Sequence, residues 1–180
     1  MKMTPELLER IRRVELLLLD VDGVLTDGSI VYGEPTLELK RFHVRDGSGI
    51  KMWQMAGKSI AIISGRNSPA VSKRAAELGI GTVIQGRSEK VPALREILAT
   101  TKLDASQVAS IGDDLPDLPV LLSVGVGIAV ADACAELRDS ADYVTTMNGG
   151  HGAVRDAIEW LLKSQSKWDE VVERFRRTRM

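Results

Sequence analysis

Cysteine is almost missing from this chain of 180 residues: Cys134 stands alone, so no internal disulfide can form. A lone thiol fits a reducing cytoplasm. Histidine is nearly as scarce, and His43 and His151 both fall in loops, where a histidine is ordinarily just a polar surface group. An excess of one charge is missing too. With 24 Lys and Arg against 25 Asp and Glu, the net charge of −1 gives no support for a nucleic-acid partner. No apolar run approaches membrane-spanning length, and the opening Met1–Glu6 lacks the apolar core of a secretory signal. These absences predict a cytoplasmic protein with neither membrane nor nucleic acid as partner. What remains, 44% hydrophobic and 27% charged, is an ordinary globular composition whose length suits one domain, 1–180, with a proper core.

The stretch Leu16–Gly28 organises the rest. Four leucines run straight into Asp20, Val21, Asp22 and Gly23, which reads as a fully buried strand ending in a loop. Asp20 and Asp22 are two apart, so an extended backbone points both to one side, and Gly23 lets the chain turn away. Two such carboxylates suit a hard cation such as Mg2+, or the pairing of an ionised nucleophile with a protonated acid. A strand end with two solvated aspartates would look the same, so the remaining motifs must decide.

Before this strand, Thr4 and Pro5 predict the cap and first position of a short helix with Leu7, Leu8 and Ile11 on its apolar face. After it, Ser29–Phe42 reads as a β-hairpin, with a turn at Gly33-Glu34-Pro35 and Leu37/Leu39 alternation. Arg45–Gly49 reads as a lead into a helix carrying Ile50, Met52, Trp53 and Met55, closed by Gly57. From there strands and helices alternate. Strands are predicted at 59–63, 82–84, 108–111, 126–130 and 143–145. Helices are predicted from Pro69 to Gly79, around Lys90–Leu98, at 116–122, at 133–138 and after Gly149-Gly150-His151-Gly152. The tail 166–180 reads as helical, with Trp168, Val171, Val172 and Phe175 on one face. Such alternation implies a doubly wound, mostly parallel sheet whose ligand sits beyond the carboxyl ends of the strands. Asp20, Ser64 and Asp113 each fall just past such an end.

With D-x-D-G-V at Asp20, Ser64-Gly65-Arg66, Lys90 and G-D-D-x-x-D from Gly112 to Asp117, the chain resembles the haloacid dehalogenase superfamily of aspartate-nucleophile phosphatases. Val44–Gly47, Val130–Ala133 and Gly149–Arg155 extend the resemblance, over about residues 14–165, to the 3-deoxy-D-manno-octulosonate 8-phosphate (KDO 8-phosphate) phosphatase family. The resemblance implies a Rossmann-like fold of haloacid dehalogenase type with a protruding hairpin and no cap domain, because too few residues separate the motifs to hold one. It implies Asp20 as nucleophile and Asp22 as general acid and base. Mg2+ would be held by the side chains of Asp20 and Asp113 and the backbone carbonyl of Asp22. Ser64, the backbone at Gly65 and Lys90 would grip the phosphate, with Asp114 and Asp117 supporting them or merely placed for a helix dipole. Five carboxylates at one mouth would in any case repel a phosphate dianion unless a cation lay between them.

By the same resemblance Arg45, Asp46 and the hairpin belong to the substrate wall, and neighbouring subunits close the open mouth, usually as a homotetramer. His43 and His151 depart from the family, which commonly has asparagine and arginine there. The substrate class implied is therefore a sugar-acid phosphate: the eight-carbon KDO ester of lipopolysaccharide synthesis, or the nine-carbon 9-phosphate of KDN or N-acetylneuraminate. A non-catalytic oligomerisation module is the reading from another class, and the presence of Asp20, Asp22 and Lys90 weighs against it.

Overall fold

The computed structural model describes residues 3–33 and 38–177. Its centre is a six-stranded, wholly parallel sheet in the order β5-β4-β1-β6-β7-β8. The strands are β1 (Leu16–Leu19), β4 (Ser59–Ile63), β5 (Thr82–Ile84), β6 (Val108–Gly112), β7 (Val126–Ala129) and β8 (Tyr143–Val144). β1 lies in the middle, with Leu16 opposite both Ser59 of β4 and Val108 of β6. The chain therefore runs outward from β1 first to one side and then to the other. The crevice at that switch, beyond the carboxyl ends of β1, β4 and β6, is where such sheets receive ligands.

Alternation along the buried strands divides the core into two layers. Leu17, Leu19, Ile60, Ile62, Ala109 and Ile111 pack towards α1 (Pro5–Arg12), α2 (Val44–Met55) and α7 (Ala153–Ser164). Leu16, Leu18, Ala61, Ile63 and Val108 pack towards α4 (Lys90–Thr101). This two-sided burial explains why β1 can be four consecutive leucines. Local signals bound several helices as the sequence predicts. Thr4 accepts a hydrogen bond from the Leu7 amide, Pro69 opens α3 (Pro69–Leu78), and Gly79 ends it with φ of 69°. The predicted helix at 116–122 is instead a 3-10 turn, Leu115–Asp117, followed by α5 (Leu118–Leu121), and α6 covers Ala135–Ser140.

The start of α2 departs from expectation: Arg45–Gly49 is not a lead-in but the first turns of the helix. Two glycines there obscure the helical pattern, yet one has a packing reason. A Cβ at Gly49 would come within 3.1 Å of the Arg155 Cα, so its absence lets α2 approach α7. The hairpin is present as two short antiparallel strands, β2 (Val31–Tyr32) and β3 (Glu38–Leu39), with Val31 opposite Leu39. Its predicted turn at Glu34-Pro35 and the predicted role of Leu37 lie outside the described residues. The tail forms α8 (Trp168–Arg177), which folds back on its own chain: Val171 is buried, the Trp168 ring lies beneath Arg155 and Lys163, and Arg174 donates to the Met55 carbonyl.

Candidate active site

Asp20, Ser64 and Asp113 are each the first residue beyond a strand, of β1, β4 and β6 respectively, and Lys90 is the first residue of α4. Parallel pairing brings all four to one end of the sheet. There, with Asp22, Gly65, Arg66, Asp114 and Asp117, they line a cleft of about 380 Å3. Ser88 and Pro116 also line it. Ser88 gave no sequence signal beyond its place in a loop before α4.

The floor of the cleft is a cluster of carboxylates around one ammonium. Lys90 Nζ lies 2.8 Å from Asp20 Oδ1 and 2.5 Å from Asp117 Oδ1. Asp117 spends its other oxygen, Oδ2, on the Asp113 amide at 3.1 Å. It thereby ties the β6 loop to α4, and its neighbour Asp114 stays at the rim. Oxygens of Asp20, Asp113 and Asp117 all lie within 4.8 Å of one another. Burial, reinforced by Asp117, pushes the Asp20 carboxyl up to about 6, although Lys90 pulls against the shift. Burial, with Asp20 and Asp117 beside it, pushes Asp113 up to about 8. For Lys90, burial opposes the charge, but Asp20 and Asp117 outweigh it and hold its pKa above the ordinary lysine value.

Three carboxylates sharing one ammonium leave negative charge uncompensated. An all-oxygen donor set of that kind fits a hard divalent cation. Asp20 and Asp113 have the more open claim on it, since both Asp117 oxygens are already engaged. Backbone geometry serves the same end. Gly23 has φ of 90°, and a Cβ on it would fall 2.0 Å from Asp113 Oδ2, so only glycine lets the β1 and β6 loops meet. Ser64 is buried, its hydroxyl accepting from the Arg66 amide at 3.2 Å while its own amide donates to Ile84.

The side chain of Asp22 turns away from that cluster. Its Oδ1 pairs with Lys40, and its Oδ2 lies 3.8 Å from Arg66 Nε. Lys40 pairs as well with Glu38 Oε1 at 2.8 Å, and Arg66 Nη2 reaches Glu38 Oε2 at 3.4 Å. Sequence reasoning singled out neither Lys40 nor Glu38. Only the alternating pattern of the hairpin marked them, and that pattern does not say where the hairpin docks.

Two predicted substrate residues are not brought to this cleft. Asp46 is buried beside α7, where it accepts from the Gly152 amide at 3.2 Å and the Arg155 amide at 2.8 Å. Burial raises its pKa against those two hydrogen bonds. Both of its oxygens thereby cap the amino end of α7. Arg45 lines a separate cavity of about 520 Å3 with Arg41, His43 and His151. His151 is held there through Nδ1, 2.8 Å from the Gly149 carbonyl.

Comparison with known proteins bears on this geometry. The family described as haloacid dehalogenase-like hydrolase matches residues 81–158. The 3-deoxy-D-manno-octulosonate 8-phosphate phosphatases of Yersinia pestis and Escherichia coli (strain K12) are each 45% identical to this chain, over 162 and 165 residues. Those alignments cover 90% and 92% of this chain and 87% and 88% of the relatives. Among solved structures, the Moraxella catarrhalis phosphatase of that name, in complex with magnesium ion, phosphate ion and KDO, matches with a TM-score of 0.92 at 40% identity. The match covers 96% of this chain and 99% of that one. The cobalt-bound Haemophilus influenzae phosphatase matches at 0.85 and 40% identity, covering 88% and 93%.

Proposed function

Because the chain belongs to the 3-deoxy-D-manno-octulosonate 8-phosphate phosphatase family of haloacid dehalogenase-like hydrolases, we propose that it hydrolyses this sugar-acid phosphate through an aspartyl phosphate. It is a phosphoric monoester hydrolase, and its cofactor is Mg2+. The observation that carries the mechanism is the cluster of Asp20, Asp113 and Asp117 around the buried Lys90, in a cleft that also holds Ser64 and Arg66, while the relatives support the choice of sugar-acid ester.

In this reading the Asp20 carboxylate attacks phosphorus, and the bond from phosphorus to the sugar C8 oxygen breaks as Asp22 gives that oxygen a proton. Asp22 then takes a proton from a water that attacks the aspartyl phosphate, which frees phosphate and restores Asp20. The Ser64 hydroxyl and the Gly65 amide donate to phosphoryl oxygens, while Lys90 holds Asp20 in place and balances charge on the transferring group. Asp117 keeps Lys90 and the Asp113 loop in register. Asp20 and Asp113 through their side chains, and Asp22 through its carbonyl, would hold Mg2+, which when bound offsets the carboxylates and polarises the phosphoryl group. Arg66, at the mouth, offers a cation to the acid end of the substrate.

The same reading treats 1–180 as one cytoplasmic phosphatase domain that assembles as a closed homotetramer. Ile30, Val31, Tyr32 and Leu39 stand exposed on a hairpin of two-residue strands, an arrangement marginal in water by itself. Burying these hairpins between subunits would cover the apolar edges and wall the open cleft at once.

The decisive experiment compares esters in the presence of Mg2+. The expected kcat/KM for KDO 8-phosphate exceeds that for glucose 6-phosphate by at least about a hundredfold, because a neutral sugar leaves the site's cations unpaired. Equal values would make this a generalist phosphatase. A higher value for KDN 9-phosphate would move the assignment to the nine-carbon acids.

A further inference from the structure

Four charged side chains form a closed ring beside the cleft, alternating in sign: Asp22, Lys40, Glu38 and Arg66. Lys40 is its least accessible member, with a side chain only 1% exposed. It sits between β3 and α2, where a lysine without a task would extend into water. Here it is folded inward, and its ammonium is shared between Asp22 Oδ1 and Glu38 Oε1. The fourth side of the ring is the loosest. Arg66 Nε lies 3.8 Å from Asp22 Oδ2 and makes no hydrogen bond among the described residues. One oxygen of Asp22 is thus held by Lys40, while the other has Arg66, a residue that lines the cleft with it, at 3.8 Å.

We infer that Lys40 is a positioning residue for Asp22. It fixes the carboxylate through Oδ1 so that Oδ2 alone faces the reacting atoms, and Glu38 holds Lys40 in that pose. The inference rests on the proposed role of Asp22 in proton transfer. Asp20 and Asp113 line the same cleft, and their like charge would push an unclamped loop carboxylate still further from it. A misplacement of about 1 Å in an acid–base group costs on the order of a hundredfold in rate. A buried ammonium opposes that displacement, since leaving Asp22 would leave its own charge half paired. The clamp comes from the hairpin, 18 residues along the chain from Asp22, so hairpin placement and acid–base geometry are mechanically joined.

The test is a double-mutant cycle of wild type, Lys40→Met, Asp22→Asn and the double variant. The Mg2+-loaded proteins are assayed on both KDO 8-phosphate and p-nitrophenyl phosphate. Lys40→Met is expected to lower kcat by about tenfold to a hundredfold with KM within about threefold of wild type. In the Asp22→Asn background the same substitution is expected to change kcat by less than about twofold, because the group it positions is gone. A merely structural lysine would lower activity in both backgrounds alike, so losses that multiply would overturn the proposal. So would a Lys40→Met protein within about twofold of wild type. Should Lys40→Met fail to fold, Glu38→Gln loosens the same clamp. A loss of a few-fold in kcat seen only when Asp22 is present supports the inference, and one seen in both backgrounds overturns it. A wild-type protein that turns over p-nitrophenyl phosphate but not the sugar-acid ester defeats the substrate reading alone, and the cycle is then read on the aryl ester.

Discussion

Lys58 and Lys90 are both buried, at opposite ends of the same sheet, and their surroundings could hardly differ more. Lys58, just before β4, gives its Nζ to the Val14 carbonyl at 2.6 Å and to Glu15 at 2.8 Å. One cation meets one carboxylate, Glu15 is half in water, and the Val14 carbonyl has a second donor in Gln165. Lys90 meets Asp20 and Asp117 directly, with Asp113 close behind. At the amino end, charge is balanced and the lysine closes the fold. At the carboxyl end it is left unbalanced, and raised carboxyl pKa values record the cost. A fold tolerates such an imbalance where a ligand of opposite charge completes it.

The sharpest way to break the comparison is at the nucleophile. Asp20→Asn keeps the shape of the cluster and removes one negative charge, so the protein should fold at least as well. Turnover is expected to fall by roughly three orders of magnitude or more, measured as phosphate released under saturating substrate. Near wild-type turnover would exclude the aspartyl phosphate.

Exchanging the two lysines for methionine tests the contrast directly. Lys90→Met should lower kcat/KM by about a hundredfold or more and, without divalent cation, destabilise the fold by roughly 3–5 kcal/mol, as breaking a buried pair does. Lys58→Met should leave kcat/KM within about twofold and cost about 1–2 kcal/mol in urea unfolding, since its partners keep water or another donor. Similar activity losses in both would erase the distinction between the two ends.

The hairpin extends the functional end outward, and charge placed on it should uncouple assembly from metal binding. With Ile30→Asp and Leu39→Lys together, light scattering is expected to show a smaller species that still binds Mg2+. Its preference for the sugar-acid ester should drop by about tenfold. A variant with unchanged mass and unchanged preference would remove the hairpin from the substrate wall.

The smallest effect is thermodynamic. An ordinary carboxyl titrates near 3.8, whereas Asp20 and Asp113 are raised to about 6 and about 8 in the fold. Groups raised in this way contribute stability that is complete below about pH 4 and is lost as pH climbs to about 8. Mg2+ relieves the repulsion that the lost protons expose. The gain in Tm on adding Mg2+ is therefore expected to be larger at about pH 8 than at about pH 5, by a few degrees. Equal gains at both pH values, by scanning fluorimetry, would contradict the charge imbalance.

Much of this site is legible in the chain itself. Strand-to-helix alternation puts every strand's carboxyl end on one side, so Asp20, Ser64 and Asp113 are neighbours by register alone, and Lys90 follows from the next crossover. Cap and turn residues bound α1 and α3 for equally local reasons. Other features depend on contacts that local patterns do not encode. No local pattern says that Asp46 caps α7, through the Gly152 amide 106 residues later. Asp117 has both oxygens committed, one to Lys90 and one to the Asp113 amide, which only the packing of α4 against the β6 loop could decide. Asp22 takes its orientation from Lys40, which the hairpin delivers. By itself the sequence determined which groups meet at the end of the sheet, because strand period and crossover are local. Tertiary structure alone decided which oxygen of each carboxylate remains available, because hydrogen bonds and ion pairs between distant segments claim the others first.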